Sequence, residues 1–372
     1  MTESTSPAAA RGRILALDAL RLMAALVVFG HHFHVMFGLD LPFYLSNGLL
    51  DAKGAVTLFF VLSGYVLALS LSREAPSPRA YVNFGVRRVF RLYPLYWAAL
   101  VFTLGVMVWI QQAGGFAQTP ELRASFLEGQ GLQWRQWVLQ ATLVAPGMKS
   151  FFANPPVWTL MTEAKVAPVF PLLAWALLRM RWEGALVLLG ALVLGSGWLH
   201  EHVAGTAAFL GQFGLGVFLC RVPQEFWRSL SRSGWGWLGT GSGLLYCVIS
   251  IRHLIPVWVS FYACAFGAAG LVACASHCGP FRATLNRWQA RLGVDLSYAV
   301  YVLHYPILIG LRKMALLGWL AVPPLGLFFV ALALTLGLSF VLHHLIEVPA
   351  IQCGRQLTKR RGRSASVPAP VL

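Results

Sequence analysis

Arginine and histidine stand where lipid would be expected to exclude them. Residues 15–34 read LALDALRLMAALVVFGHHFH, and Arg21 and His32 lie eleven positions apart in this apolar run. At about 100° per residue, the two fall within roughly 20° of one helix face. At a rise of ~1.5 Å per residue, they are ~16 Å apart along the axis. A guanidinium binds anions. A neutral imidazole takes a proton from a hydroxyl or attacks a carbonyl carbon itself. Asp18 precedes Arg21 by three residues, at ion-pair spacing. The competing reading is that Arg21 snorkels to the headgroups and His32 sits at the far interface.

Five further strings place polar groups in apolar surroundings. Ser63 and Gly64 fall in the middle of GAVTLFFVLSGYVLALS, where Gly permits close helix approach and Ser bonds across helices. Arg88 and Arg91 share a face in VRRVFRLYPLYW, as a phosphate clamp or as ordinary cytoplasmic charge. Glu163 lies in PPVWTLMTEAKVAPVFP, where it would orient a histidine, hold a substrate hydroxyl or form a structural pair. Ser297, Tyr301 and His304 follow i, i+4, i+7 spacing in LSYAVYVLHYP, a polar stripe that must face protein or a water-filled cavity. Glu347 closes LHHLIEVPA, as a functional carboxylate or as a cap or ion-pair partner.

These groups need elements to hold them, and composition says what kind. The 372 residues are 58% hydrophobic and 11% charged, against about 25% charged in a soluble domain. Most of the chain must therefore have lipid as its solvent. The expected fold is an all-α integral membrane bundle of about ten transmembrane helices, over 15–38, 52–72, 92–111, 156–178, 184–200, 204–220, 235–251, 254–276, 294–314 and 318–346. The first run, carrying Asp18 and Arg21, is too long for a signal-peptide core and reads as a retained helix.

The net charge is +16. The basic residues cluster in short segments between apolar runs, which points to a membrane surface and not to nucleic acid. With that helix order, Arg11 and Arg13, the run Arg73 to Arg91, Arg179 and Arg181, Arg221 to Arg232, Arg282 to Arg291 and the tail from Arg355 share one side. The positive-inside rule makes that side the cytoplasm, with both termini there. The segment 112–155 is the long outside loop, with an interfacial helix expected near 132–143. Residues 1–350 form one membrane domain, and 351–372 a basic tail expected to be disordered. The cysteines offer no four-ligand set, so no metal is expected.

Six strings, in order from Leu17 to Pro349, resemble the membrane acyltransferases of acyltransferase family 3: LDALRLMAALVVFGHHF, LFFVLSGYVLALS, RRVFRLYPLYW, VWTLMTE, LSYAVYVLHYP and IEVP. The resemblance implies O-acylation of exported carbohydrates or small molecules at the cell inner membrane. It implies acyl-CoA, commonly acetyl-CoA, as donor substrate, a hydroxyl acceptor and no tightly bound cofactor. The family's arginine and catalytic histidine fall on Arg21 and His32, with His31 adjacent and the choice between the two open. The R-x-x-R string falls on Arg88 and Arg91, and the W-S-L-x-x-E-like string on Trp158, Thr159, Leu160 and Glu163. Thr159 replaces the commoner Ser. The last string falls on Ser297, Tyr298, Tyr301 and His304. The expected catalytic set is thus His32, Glu163 and His304, with Arg21, Arg88 and Arg91 on the donor. His31, Asp18, Ser63, Trp158, Ser297, Tyr301 and Glu347 are expected to support them. A rival reading is a transporter or flippase using the same intramembrane His, Arg and Glu as a substrate or proton path.

Overall fold

The computed structural model describes residues 14–39, 42, 48, 51–115, 134–144, 154–202 and 205–364. Arg11, Arg13, most of the 112–155 loop and residues 365–372 lie outside them. Among the described residues all regular structure is helical.

Local chemistry sets the helix ends. Helix α1 (Leu15–Phe37) stops at Gly38, whose φ of 64° lets its N–H cap the His34 carbonyl. Helix α2 (Ala52–Leu71) starts at Asp51, whose carboxylate accepts from the Lys53 N–H. The same carboxylate is ion-paired with Arg252. Helix α3 (Pro78–Gln112) starts at Ser77, with Pro78 in the first turn where no N–H is needed. It was expected only over 92–111. At ~1.5 Å per residue, its 35 residues span ~52 Å against a hydrocarbon core of ~30 Å. Its first turns therefore stand outside the hydrocarbon. Pro94 interrupts one backbone bond without breaking the helix.

Helix α4 (Trp134–Ala141) falls within the segment expected to hold an interfacial helix. Side chains of α3 cap its C-terminal end. The Tyr96 hydroxyl and Trp97 Nε1 donate to the Gln140 and Ala141 carbonyls at 2.8 and 2.9 Å, and the Tyr93 hydroxyl to that of Thr142 at 2.8 Å.

The expected span 156–178 is broken. A 3₁₀ turn at Pro155–Val157 leads into α5 (Trp158–Val166), and α6 (Phe170–Arg179) leaves at 64° to it. Pro168 and Pro171 at the junction remove backbone donors and stop a straight continuation. Then come α7 (Trp182–His202), α8 (Leu210–Leu219), α9 (Gln224–Ser229), α10 (Arg232–Cys247), α11 (Val257–His277), α12 (Gly279–Leu292), α13 (Ser297–Leu316) and α14 (Pro324–Leu342). A π-turn at His343–Glu347 passes into α15 (Val348–Ser364).

Among the described residues seven helices are long and apolar enough to cross a membrane, and the bent α5–α6 pair would make an eighth. The other two expected spans are helical but shorter: α8 with its 3₁₀ lead-in, and the glycine-rich α10. The expected disordered tail is corrected in part. The chain stays helical through Ser364, because α15 lies along α3. Gly354 sits so close that a Cβ there would fall 2.7 Å from Phe90 Cβ.

Helix α1 packs on α13, α2 and α12, and α13 also packs on α3 and α14. The central core gathers Leu17, Phe29, Phe33, Leu62, Leu95 and Leu308, each at most 2% exposed. Lipid tails are as apolar as leucine, so water exclusion does not drive these helices together, and close packing must. Helices α2 and α8 approach closely, backbone to backbone. A Cβ on Gly64 would lie 2.2 Å from the Phe213 carbonyl oxygen, and one on Gly216 would lie 2.1 Å from that of Val61. Gly216→Ala should therefore destabilise the protein by about 1–3 kcal/mol, seen as a lower thermal midpoint in detergent. Gly105→Ala, facing open space within α3, should leave stability unchanged or raise it by up to about 1 kcal/mol. Equal behaviour of the two variants would refute the backbone contact.

Candidate active site

Two histidines meet where α1 and α13 pack. His304 is fully buried, and its Nε2 lies 3.3 Å from His32 Nδ1. Each ring is also held by a carbonyl one turn earlier on its own helix. His304 Nδ1 is 3.1 Å from the Val300 oxygen, and His32 Nδ1 is 2.8 Å from the Val28 oxygen. A carbonyl only accepts, so with both rings neutral each Nδ1 carries the proton. His304 Nε2 is then an acceptor facing the His32 N–H. His32 Nε2 is left with its lone pair free, the form a general base or nucleophile requires.

Of the two adjacent histidines, the one whose ring meets His304 is His32. His31 stands edge-on to His32 with centroids 5.5 Å apart. Tyr305 packs edge-on against His32 at 5.4 Å, and Tyr301 lies 5.9 Å from the His304 ring. The bent segment is tied to α13 here. Thr159 donates to the Tyr301 hydroxyl at 2.7 Å, which donates to the Pro156 carbonyl at 2.9 Å, and Asn154 Nδ2 reaches the Val302 carbonyl at 2.9 Å.

A second cluster lies toward the opposite ends of the same helices. Glu163 on α5 accepts from Ser63 of α2 at 2.5 Å through one oxygen and pairs with Arg88 of α3 at 2.8 Å through the other. Arg91 lies 3.3 Å from Glu347 and 3.6 Å from Asp295. Glu347 is 1% exposed and is held at 2.8 Å by His343 Nδ1. Asp295 accepts from the Ser297 hydroxyl at 2.6 Å and from its backbone N–H at 3.2 Å, organising the start of α13. Arg21 and Asp18 are 3.6 Å apart. Arg21, Ser63, Arg88, Arg91, Glu163 and Tyr301 line one small cavity of about 80 Å³. Within it Arg88 keeps its Nε buried and without a partner.

The expected residues thus divide. His32 and His304 come together at one level. Arg21, Asp18, Ser63, Arg88, Arg91, Glu163, Ser297 and Glu347 gather at the other. Tyr301 lies between, lining the cavity and touching the His304 ring. Of the three readings of Glu163, to orient a histidine, to hold a substrate hydroxyl or to form a structural pair, the geometry shows the pair with Arg88, together with the bond from Ser63. Trp158 packs its ring against Phe60 and Phe209, with centroids 6.1 and 5.3 Å away. Asp295 and His343 were missed. Asp295 carried a signal, an acid two residues before a helical run. His343 carried one too, standing four residues before Glu347. Among the described residues no group of three His, Cys, Asp or Glu could hold a metal ion.

The family model described as "Acyltransferase domain", that of acyltransferase family 3, matches residues 14–344. Among curated proteins, "Nodulation protein 10" of Rhizobium leguminosarum bv. viciae is 29% identical over 384 residues, covering 92% of this chain and 95% of its own. "Protein 2 in picA locus" of Rhizobium radiobacter is 29% identical over 169 residues, 42% of this chain and 81% of its own. No solved structure matches the chain. The match spans the histidine pair and all of the second cluster but Glu347, and it does not favour the transport reading. The chain belongs to acyltransferase family 3 and is a multi-pass membrane acyltransferase that moves groups other than aminoacyl groups.

Proposed function

We propose that the protein transfers an acetyl group from cytoplasmic acetyl-CoA to a hydroxyl of an exported or cell-envelope carbohydrate. The chain would sit in the cell inner membrane, crossing it about ten times, with both termini in the cytoplasm. The observation that carries the reading is the His32–His304 pair, which leaves a free imidazole nitrogen deep in the bundle. His32 Nε2 takes the proton from the acceptor hydroxyl as its oxygen attacks the thioester carbonyl. The tetrahedral intermediate collapses, the C–S bond breaks, and the proton passes from His32 to the departing sulfur. His304 Nε2 and the Val28 carbonyl both accept from His32 Nδ1–H, so they hold the ring and stabilise its transient positive charge.

Arg21, Arg88 and Arg91 form the donor end. Their carboxylate partners hold the guanidinium forks in place before the donor arrives. The unpartnered Arg88 Nε remains free to bond it. The ~16 Å rise from Arg21 to His32 suits an extended donor lying along α1. Phosphates stay at the cytoplasmic end, and the acyl carbon reaches the histidine.

Purified protein with labelled acetyl-CoA and a hydroxyl acceptor tests this directly. His32→Ala should lower kcat by about 10²–10⁴ while CoA still binds; full transfer by this variant would remove the role given to His32. His304→Ala should cost less, about tenfold to a hundredfold, the value of one charge-assisted hydrogen bond. A loss equal to that of His32→Ala would make His304 an acid–base partner in its own right. Glu163→Ala leaves Arg88 without its carboxylate in a buried site. It should weaken CoA binding or destabilise the fold by about 3–5 kcal/mol, seen as a shifted thermal midpoint. A variant with unchanged midpoint and unchanged KM would show the pair to be dispensable.

A further inference from the structure

The inner cluster offers directed guanidinium N–H groups to the donor but no surplus positive charge. Its three guanidiniums, Arg21, Arg88 and Arg91, face four carboxylates, Asp18, Glu163, Asp295 and Glu347. A donor with several phosphates would be held more strongly if cations beyond this cluster reached it. A second cavity supplies them. Its volume is about 460 Å³, within the range of small-molecule sites. It lies at the N-terminal end of α3, where the helix dipole favours anions.

Two helices build this cavity. From α3 come Arg79, Asn83 and Arg87, and from α15 come Thr358 and Lys359. The cavity's carboxylate, Glu74, is spent on Arg87 at 3.0 Å. Arg79 and Lys359 have no ion pair among the described residues. Asn83 is 9% exposed, and its Oδ1 is buried in the cavity wall without a hydrogen-bond partner. A buried amide oxygen without a donor is costly, and a ligand bearing an N–H or O–H would satisfy it. Bare phosphate at neutral pH offers little of that, whereas a nucleotide carries both phosphates and base or ribose donors. Arg87 lines this cavity and Arg88 the inner one. They are consecutive residues, so the two cavities stand at the same level of α3.

We propose that this outer cavity binds the phosphorylated adenosine end of the donor, with Arg79 and Lys359 on the phosphates and Asn83 on the base or ribose. The proposal rests on acyl-CoA being the donor. It gives the helical α15 a purpose, since α15 forms one wall of the site.

The test is equilibrium binding of CoA and of adenosine 3′,5′-bisphosphate to the full chain in phosphatidylcholine nanodiscs. Arg79 and Lys359 are both exposed, so Arg79→Ala with Lys359→Ala should fold. The double variant should bind both ligands about tenfold or more weakly, the loss of at least one charge-assisted contact. Asn83→Leu should weaken the bisphosphate and leave competition by inorganic phosphate unchanged. Undiminished binding of CoA by the double variant, with the wild type binding normally, would overturn the cavity assignment and leave the donor reading intact. A wild type that binds neither ligand would overturn both. A third outcome also counts against the proposal: the double variant keeps its CoA affinity but loses retention of phosphatidylglycerol in mixed nanodiscs. The cavity would then be a lipid headgroup site.

Discussion

Charge inside a bilayer must be neutralised or hydrated, and this constraint organises the bundle. Arg88 and Arg91 enter the helical bundle on α3, and neither finds its carboxylate on its own helix. Glu163 comes from the bent α5, Glu347 from the π-turn after α14, and Asp295 from the approach to α13. Each pair fixes one element against α3. Leaving one partner unpaired in a buried site costs several kcal/mol, while the intact pair contributes little net stability. The network therefore specifies arrangement more than it adds strength. Ser63 extends it to α2, beside the glycine contacts that bring α2 onto α8.

The same helices carry the chemistry at their other ends. Helices α1 and α13 each hold one histidine of the pair, and each begins near the charged cluster, with Arg21 and Asp18 on one and Asp295 and Ser297 at the other. A rigid, tightly packed helix pair thus sets the distance between charge recognition and proton transfer. The distance is a property of helix rise and not of any loop. Both rings are fastened to carbonyls of their own helices, so a slide of one helix past the other would separate His32 from His304 without unfolding anything.

Much of this was legible from residue types and spacing. Apolar runs located the helices, and the positions of Arg21 and His32 read as two ends of one face. Residues on the same helix were easy to relate, because periodicity is local. Partners across helices were not. Glu163 read equally as a group for a histidine, for a substrate hydroxyl or for a structural pair, and nothing in a one-dimensional pattern says that Arg88 and Ser63 are its partners. The length of α3 was also hidden. Its first turns are polar, and hydropathy marks only the part that lipid covers. The order in α15 was missed for a related reason. Its basic composition reads as solvated chain, while its helix packs along α3, where Gly354 meets Phe90, a residue far away in sequence.

The π-turn at His343–Glu347 has a further consequence for how this architecture can vary. A π-turn holds one residue more than an α-turn. Tightening this turn into regular α-helix with every residue kept would rotate everything after it by about 100°. Glu347 would leave Arg91, and Thr358 and Lys359 would swing off α3 together, although no residue of either site had been substituted. The single extra residue acts as a phase-setting element, joining the register of the membrane helix to that of the helix beyond it. The number of residues at this point therefore carries structural information that side-chain identity alone does not record.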